Sequence, residues 1–324
     1  MVTRKDVALK ASVSEATVSY VINNTKNVTP EVKDRVLAAV QELNYQPNLI
    51  ARSLVTKQTR HVALMVDNLK NPYYCEVLEG AQSVASKAGY IISVISINVS
   101  NEEDVLELAG RGVDGIIHAL GNKEIKGLSN INLPCVTTGD DIYIDYRKAI
   151  FDMVKCLKEN GHKKIGFLSG IPTSNPGHVR YIFFIEALKH YELTYDPNLT
   201  VDAEYNADTD EIAGETAMKE LLKRKGEFTA VFAINDLMAI GASKAIRDAG
   251  LKIPQDISIV GCDHLKILDS ISPSLSTLDA DAFQLGCALM QLLADILKGD
   301  PHSRQNITAK FLCKETICEA SIDL

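Results

Sequence analysis

No stretch of this sequence approaches the roughly 18–20 consecutive apolar residues of a membrane span. Its first ten residues, MVTRKDVALK, lack the apolar core of a secretory leader. A membrane-embedded or exported protein is therefore not expected, and the cytoplasm is the predicted compartment. The seven cysteines (75, 135, 156, 262, 287, 313 and 318) are odd in number and scattered, with no C-x-x-C and no histidine at metal spacing. That pattern argues against a disulfide framework or a metal site and leaves buried reduced thiols as the expectation. Also missing are a G-x-G-x-x-G after any strand-like run, a Walker A loop and a G-x-S-x-G elbow. No cofactor is expected. The histidines are dispersed, and His162, just past a helix end at Gly161, reads as structural. The acidic GDDIYID has paired carboxylates but no partner that the sequence places opposite them. With no catalytic constellation, an enzyme is not the expected reading.

What is present begins with an uneven charge. Residues 1–60 hold nine Lys/Arg against five Asp/Glu, leaving 25 against 37 in the remainder of a chain whose net charge is −8. A basic N-terminal segment on an acidic body points to a nucleic-acid module at that end. Residues 1–45 read as three short helices. Thr3 with Asp6 forms a capping-box pattern opening the first, and ASV makes a tight turn. Ser14 caps the second, in which Val18, Val21 and Ile22 make the buried stripe. Thr29-Pro30-Glu31 starts the third, with Val32, Val36, Ala39, Val40 and Leu43 on one face. Two helices joined by a three-residue turn and braced by a third make a helix-turn-helix. Residues 46–59 hold a possible helix from Asn48 to about Val55, too short to stand alone in water, so the segment is a linker that orders only against something else.

From His61 the pattern alternates apolar strand and amphipathic helix. The predicted strands are 61–67, 90–97, 114–120, 134–139, 164–170, 230–236, 257–263 and 275–279; helices fall over 73–89, 146–160, 178–191, 209–224 and 236–249. Several strands are continuous apolar runs, as parallel strands covered on both faces should be. The fold class is α/β, with two lobes of doubly wound parallel sheet. Open α/β sheets bind ligands at the carboxyl ends of their strands. The polar residues placed there are Asp67, Asn235, Asp236 and Asp263, with Tyr73 and Tyr74 in the loop after the first strand and Arg180 opening a helix.

The stretch from VTRKDVALKASVSEATVSYVINN to QPNLIARSL closely resembles the DNA-binding head of the lactose/galactose/purine repressor family. The body carries that family's marks in order: NPYYCEVLEGA, DGII, NGHKKIGFLSG, VFAINDLMAIGASKAIRDAGLKIPQDISIVGCD and SPSLSTLD. The resemblance covers essentially the whole chain. It implies a helix-turn-helix head, a hinge helix over 46–59, and a periplasmic-binding-protein-like core over 60–324 that dimerises and senses a small molecule. Lobe 1 is expected at about 60–159 plus 281–304, and lobe 2 at about 160–280 plus 305–324.

By the same resemblance the second helix lies in the major groove of a double-stranded operator, with Glu15, Ala16 and Tyr20 at the base-reading positions. Thr3, Ser14, Thr17, Ser19 and Asn23 match residues that mostly anchor phosphates. Leu54 matches the hinge leucine that wedges into the minor groove. Effector contacts map onto Tyr73, Tyr74, Arg180, Asn235 and Asp263, with Asp236 a further candidate. Aromatic faces, a guanidinium fork and carboxylates suit a polyhydroxylated ligand, so a sugar is expected first and a nucleobase second. The sequence departs from the family at Tyr20, where arginine or histidine is common, at Cys262, where an aromatic usually precedes the aspartate, and over the short segment 98–112. The function implied is a ligand-gated repressor acting as a homodimer on a near-palindromic operator; the absence of a heptad tail favours a dimer over a tetramer. The main alternative is a solute-binding protein of a transport system, which would carry a leader and no helix-turn-helix.

Overall fold

The computed structural model describes residues 2–23, 25–46, 53, 58–96, 112–121, 128, 131–175, 177–202, 209–224 and 226–320. The chain divides into two compact units, Met1–Thr59 and Arg60–Leu324. Most of the hinge segment, Leu54 included, and most of the 98–112 segment lie outside the described residues.

The first unit is built on α1 (Arg4–Ala11), α2 (Glu15–Asn23) and α3 (Pro30–Glu42). Thr3 and Asp6 form the reciprocal capping box that their spacing predicts: Asp6 N–H donates to Thr3 Oγ1, and Thr3 N–H to Asp6 Oδ2 at 2.8 Å. Those bonds hold the Asp6 carboxyl below its usual range. Ser14 Oγ accepts from Thr17 N–H at 3.1 Å and so starts α2. Thr29 precedes α3 in extended conformation without capping it through its side chain; Pro30 supplies the preset start. Val7, Ala8, Ala11, Val18, Val21, Val36 and Ala39 form a small core.

The second unit has two principal sheets. One, ordered β2-β1-β3-β4, comprises β1 (His61–Val66), β2 (Ile91–Ser96), β3 (Gly115–His118) and β4 (Cys135–Thr137), all parallel. A separate parallel ribbon pairs β5 (Ile142–Asp145) with β11 (Gln305–Thr308). The other sheet, ordered β12-β10-β9-β8-β6-β7, comprises β6 (Ile165–Leu168), β7 (Thr200–Val201), β8 (Ala230–Ala233), β9 (Ser258–Cys262), β10 (Ser276–Asp279) and β12 (Lys310–Leu312); only β12 runs antiparallel. The apolar runs behave as their composition demands: β3, β6, β8 and β9 are buried along their whole length, whereas β2 is an exposed edge.

The helices are α4 (Pro72–Ala88), α5 (Arg147–Glu159), α6 (Val179–His190), α7 (Glu211–Lys223), α8 (Asp236–Asp248) and α9 (Ala282–Lys298). Helix α4 packs along α9 on lobe 1, and α7 along α8 on lobe 2. The lobe boundary expected at about 159 falls too late, because α5 packs against α6 and β12 and so belongs to lobe 2. Likewise β11, expected in lobe 2, pairs with β5. The chain therefore crosses between lobes near Tyr146, Asp281 and Ala309.

Both helix pairs cross at glycines. A Cβ on Gly241 would overlap the Glu211 carbonyl, and one on Gly214 the Met238 carbonyl, so α7 and α8 approach backbone to backbone. Gly241→Ala is expected to force the helices apart and destabilise the second unit by about 2 kcal/mol, seen as a lower midpoint in urea with an unchanged slope. An unshifted midpoint would mean the crossing relaxes freely. The cysteines are all free, as expected, but not all buried: only Cys262 is, while Cys75 and Cys313 are exposed.

Candidate functional site

On α2 the buried positions, Val18 and Val21, face the core of the head, which turns Glu15 and Ala16 to solvent and leaves Thr17, Ser19, Tyr20 and Asn23 half-buried. Ser14 Oγ also pairs with Thr17 Oγ1 at 2.9 Å, and Asn23 Nδ2 donates to the Ser19 carbonyl at 3.0 Å and to Ser19 Oγ at 3.1 Å. Thr3 Oγ1 donates to Asp6 Oδ2 at 2.7 Å. The expected phosphate anchors are thus partly engaged in holding their own helices. Glu15, Ala16 and Tyr20 are at the free surface or its margin. The Lys26 ammonium sits 4.7 Å from the Tyr20 ring centroid, a contact the sequence reading missed.

The second candidate site lies between the lobes. Asn71 caps α4 by accepting from Tyr73 N–H at 3.0 Å. That cap sets Tyr73 and Tyr74 on the first turn, with ring centroids 5.4 Å apart and edge to face. Across from them α6 presents Arg180, whose Nη1 donates to the Ile234 carbonyl at 2.8 Å and lies 3.6 Å from Cys262 Sγ. The guanidinium lies 5.4 Å from the Tyr146 ring centroid. Burial pushes the Tyr73, Tyr74 and Tyr146 hydroxyls upward, and the Asp263 charge adds to the shift in all three. Asp263, from lobe 2, thus acts on Tyr73 and Tyr74 of lobe 1 and on Tyr146 at the crossing between β5 and α5. Asp263 itself has positive φ (127°). Its carboxyl is held well above the usual range by burial and by Asp236, against the pull of Arg180.

Asn235 and Asp236 have structural duties as well. Asn235 caps α8, its Oδ1 accepting from Met238 N–H and its Nδ2 donating to the Thr209 carbonyl, both at 2.8 Å, which leaves one amide hydrogen for a ligand. Asp236 is fully buried: Oδ1 accepts from Thr277 Oγ1 at 2.6 Å and Oδ2 from Leu265 N–H at 2.8 Å. Burial raises its pKa. Asp236 therefore fixes the turn that carries Asp263 and does not reach the cleft. Next to that turn, His264 pairs with Asp279 at 3.1 Å and Asp269 at 3.3 Å, and Lys266 bridges to Glu76 of α4 at 2.8 Å, tying lobe 2 to lobe 1.

The sequence reading also missed Tyr146, which is nearly buried under Arg180 at a lobe crossing. A weak signal existed: it directly follows the acidic GDDIYID that drew notice only for its carboxylates. His162 is structural as expected, with Nδ1 2.8 Å from Thr229 Oγ1 and Nε2 3.0 Å from the Cys318 carbonyl. A buried Ser169–His178 pair resembles a nucleophile and base but is polarised the wrong way. His178 Nδ1 accepts from Tyr181 N–H, so Nε2 carries the proton and donates to Ser169 Oγ at 3.0 Å, which in turn donates to the Ile171 carbonyl. Among the described residues no group of three His, Cys, Asp or Glu side chains could hold a metal, and no helix is long and apolar enough to cross a membrane.

A three-helix head with a solvent-facing second helix, on the same chain as a two-lobed core lined from both lobes, defines a class: helix-turn-helix proteins with a ligand cleft. Residues 3–48 match the family of bacterial regulatory proteins, lacI family, and residues 154–313 match the periplasmic binding protein-like domain. Catabolite control protein A of Priestia megaterium is 31% identical over 339 residues, covering 100% of this chain and 96% of that protein. A lac repressor dimer bound to operator and the anti-inducer ONPF superposes with a TM-score of 0.84 at 25% identity, covering 98% of this chain and 99% of that one. A complex of the transcriptional regulator CelR with cellobiose has a TM-score of 0.71 at 26% identity, covering 98% and 100%. The chain belongs to the lacI family of bacterial regulatory proteins.

Proposed function

We propose that the protein is a transcriptional repressor that binds a near-palindromic operator as a homodimer through α2 and responds to a small polyhydroxylated molecule, a sugar, held between its lobes. The observation that carries this reading is the convergence of Tyr73 and Tyr74 from lobe 1 with Arg180 and Asp263 from lobe 2, in a chain whose α2 turns Glu15 and Ala16 to solvent. The operator-bound dimer among its structural neighbours and the cellobiose complex of another support it. A ligand spanning both lobes favours the closed cleft, and motion at the three crossings would be felt at the hinge segment. The effector acts only through its differential affinity for the two states. Dimerisation would cover the α4–β2 face, where Leu78, Ile92 and Val94 line an open groove of about 490 Å³. The reading is of a binding protein acting in the cytoplasm, without turnover of its ligand.

Specificity in this reading rests on Glu15, Ala16 and Tyr20, with Glu15 accepting from a cytosine N4 amine and Ala16 touching a thymine methyl. Leu54 is the proposed minor-groove wedge. The test is anisotropy titration against a selected palindromic pool and shuffled DNA, at two salt concentrations, with sugar and nucleoside panels added. Tight, salt-sensitive, selective binding that a sugar modulates supports the reading. Modulation by nucleosides alone would transfer the cleft to the second ligand class, which the ring cluster of Tyr73, Tyr74 and Tyr146 would also suit. Binding no better than to shuffled DNA, with or without ligands, would remove the operator role. Glu15→Gln is expected to relax discrimination at one base pair by roughly 1–3 kcal/mol while leaving the salt slope unchanged. A uniform loss across sequences would mean that Glu15 reads no base.

A further inference from the structure

Two cysteines stand apart from every feature used above. Cys156 lies in the last turn of α5 and Cys313 directly after β12, 157 residues apart in sequence, yet their sulfurs are 3.7 Å apart. Cys313 is exposed and Cys156 half-buried, so one thiol meets solvent while the other waits behind it. Closing to a disulfide needs a further approach of roughly 2 Å, at a place where α5 already packs on β12.

We propose that Cys156 and Cys313 form a thiol pair that a hydroperoxide oxidises reversibly to an intramolecular disulfide. The Cys313 thiolate attacks the terminal oxygen of the peroxide. The O–O bond breaks, the alkoxide or hydroxide leaves and takes up a proton, and Cys313 becomes a sulfenic acid. The Cys156 sulfur then attacks Cys313 Sγ, the S–O bond breaks, and the Cys156 proton and departing hydroxide leave as water. Two thiols are oxidised and one peroxide is reduced to an alcohol and water. The order follows from surroundings: burial and the neighbouring thiol push Cys156 up to about 12, so the exposed Cys313 makes the first attack and Cys156 resolves it.

The consequence is mechanical. Helix α5 follows β5 and strand β12 follows β11, the two strands of the inter-lobe ribbon. A covalent tie between α5 and β12 fixes together the two segments by which the chain enters lobe 2 from that ribbon. It also closes a long loop, which constrains the unfolded chain strongly.

The experiment uses the full-length Cys75→Ser protein, since Cys75 is the other exposed thiol. It is exposed to hydrogen peroxide, alkylated, digested and mapped by mass spectrometry. A linked peptide joining Cys156 to Cys313 is expected, with a melting temperature raised by roughly 10 °C and restored by dithiothreitol. Neither change should occur in Cys156→Ser or Cys313→Ser, whose reduced forms should melt like the parent. If both thiols remain alkylatable after oxidation, or Cys313 advances to sulfinic acid while Cys156 stays free, the two are neighbours only and the proposal falls.

Discussion

Arg180→Met should weaken effector binding about a hundredfold, close to 3 kcal/mol, while leaving operator affinity without effector unchanged. Methionine keeps an unbranched apolar stem but removes every donor and the cation that lies 5.4 Å from the Tyr146 ring centroid. The arginine's Nη1 bond to the Ile234 carbonyl disappears, and so does the one cation facing Asp263 among the groups that shift its carboxyl. A ligand hydroxyl that accepted from the guanidinium would meet a thioether, and charge-assisted bonds of that kind are the strong ones. Without the pull of Arg180, the Asp263 carboxyl would move further above its usual range. Calorimetry with the sugar that the screen returns, beside operator anisotropy, separates the outcomes. Unchanged ligand affinity would mean that Arg180 is only a strut for the β8–α8 connection. Loss of both activities would report a misfolded core.

The physical difference between what was and was not legible in the sequence is one of locality. Element types follow from short-range pattern, so the eight expected strands and the five named helices appear within two or three residues of their expected places. Short elements whose partners are remote did not: β5, β11 and β12 carry little periodicity, and their pairing depends on where the lobes cross. The misassigned α5 has the same origin, because its own sequence shows an amphipathic helix but not which lobe receives its apolar face. At the cleft, Tyr73, Tyr74, Arg180 and Asp263 were legible as polar or aromatic residues next to strand ends. The roles of Asn235 and Asp236 were not separable there, since both end the same strand-like run. Only the structure shows one capping a helix with an amide hydrogen to spare and the other wholly committed to Thr277 and Leu265. The Lys26–Tyr20 and Cys156–Cys313 contacts are likewise invisible until the chain is folded.

Stability of the second unit should fall as pH drops from about 6.5 toward 4, by about 3 kcal/mol through His178 alone. The ring is 2% exposed, and burial, helped by the Arg180 charge, pushes its pKa down to about 4. An unfolded histidine takes its proton near 6.5. Across that interval the unfolded chain therefore binds more protons than the folded one, so the contribution is whole above pH 6.5 and gone below 4. His162, also depressed by burial, acts with the same sign. Asp236 and Asp263 act against it, because carboxyls raised in the fold take up protons before their unfolded counterparts do. The net curve mixes these, and His178→Asn isolates one. Asparagine can accept from Tyr181 N–H as the cap of α6 and does not titrate; it is too short to replace the Nε2 bond to Ser169, a loss that does not depend on pH and so only offsets the curve. Urea midpoints from pH 7 to 4 should show the gap between parent and variant closing by about 3 kcal/mol; parallel curves would mean that the native ring protonates freely. Because His178 caps the helix whose second residue is Arg180, the same protonation should loosen the arginine's footing. Effector affinity should then decline over that interval in the parent more steeply than in His178→Asn, while any titration of Asp263 moves both proteins alike.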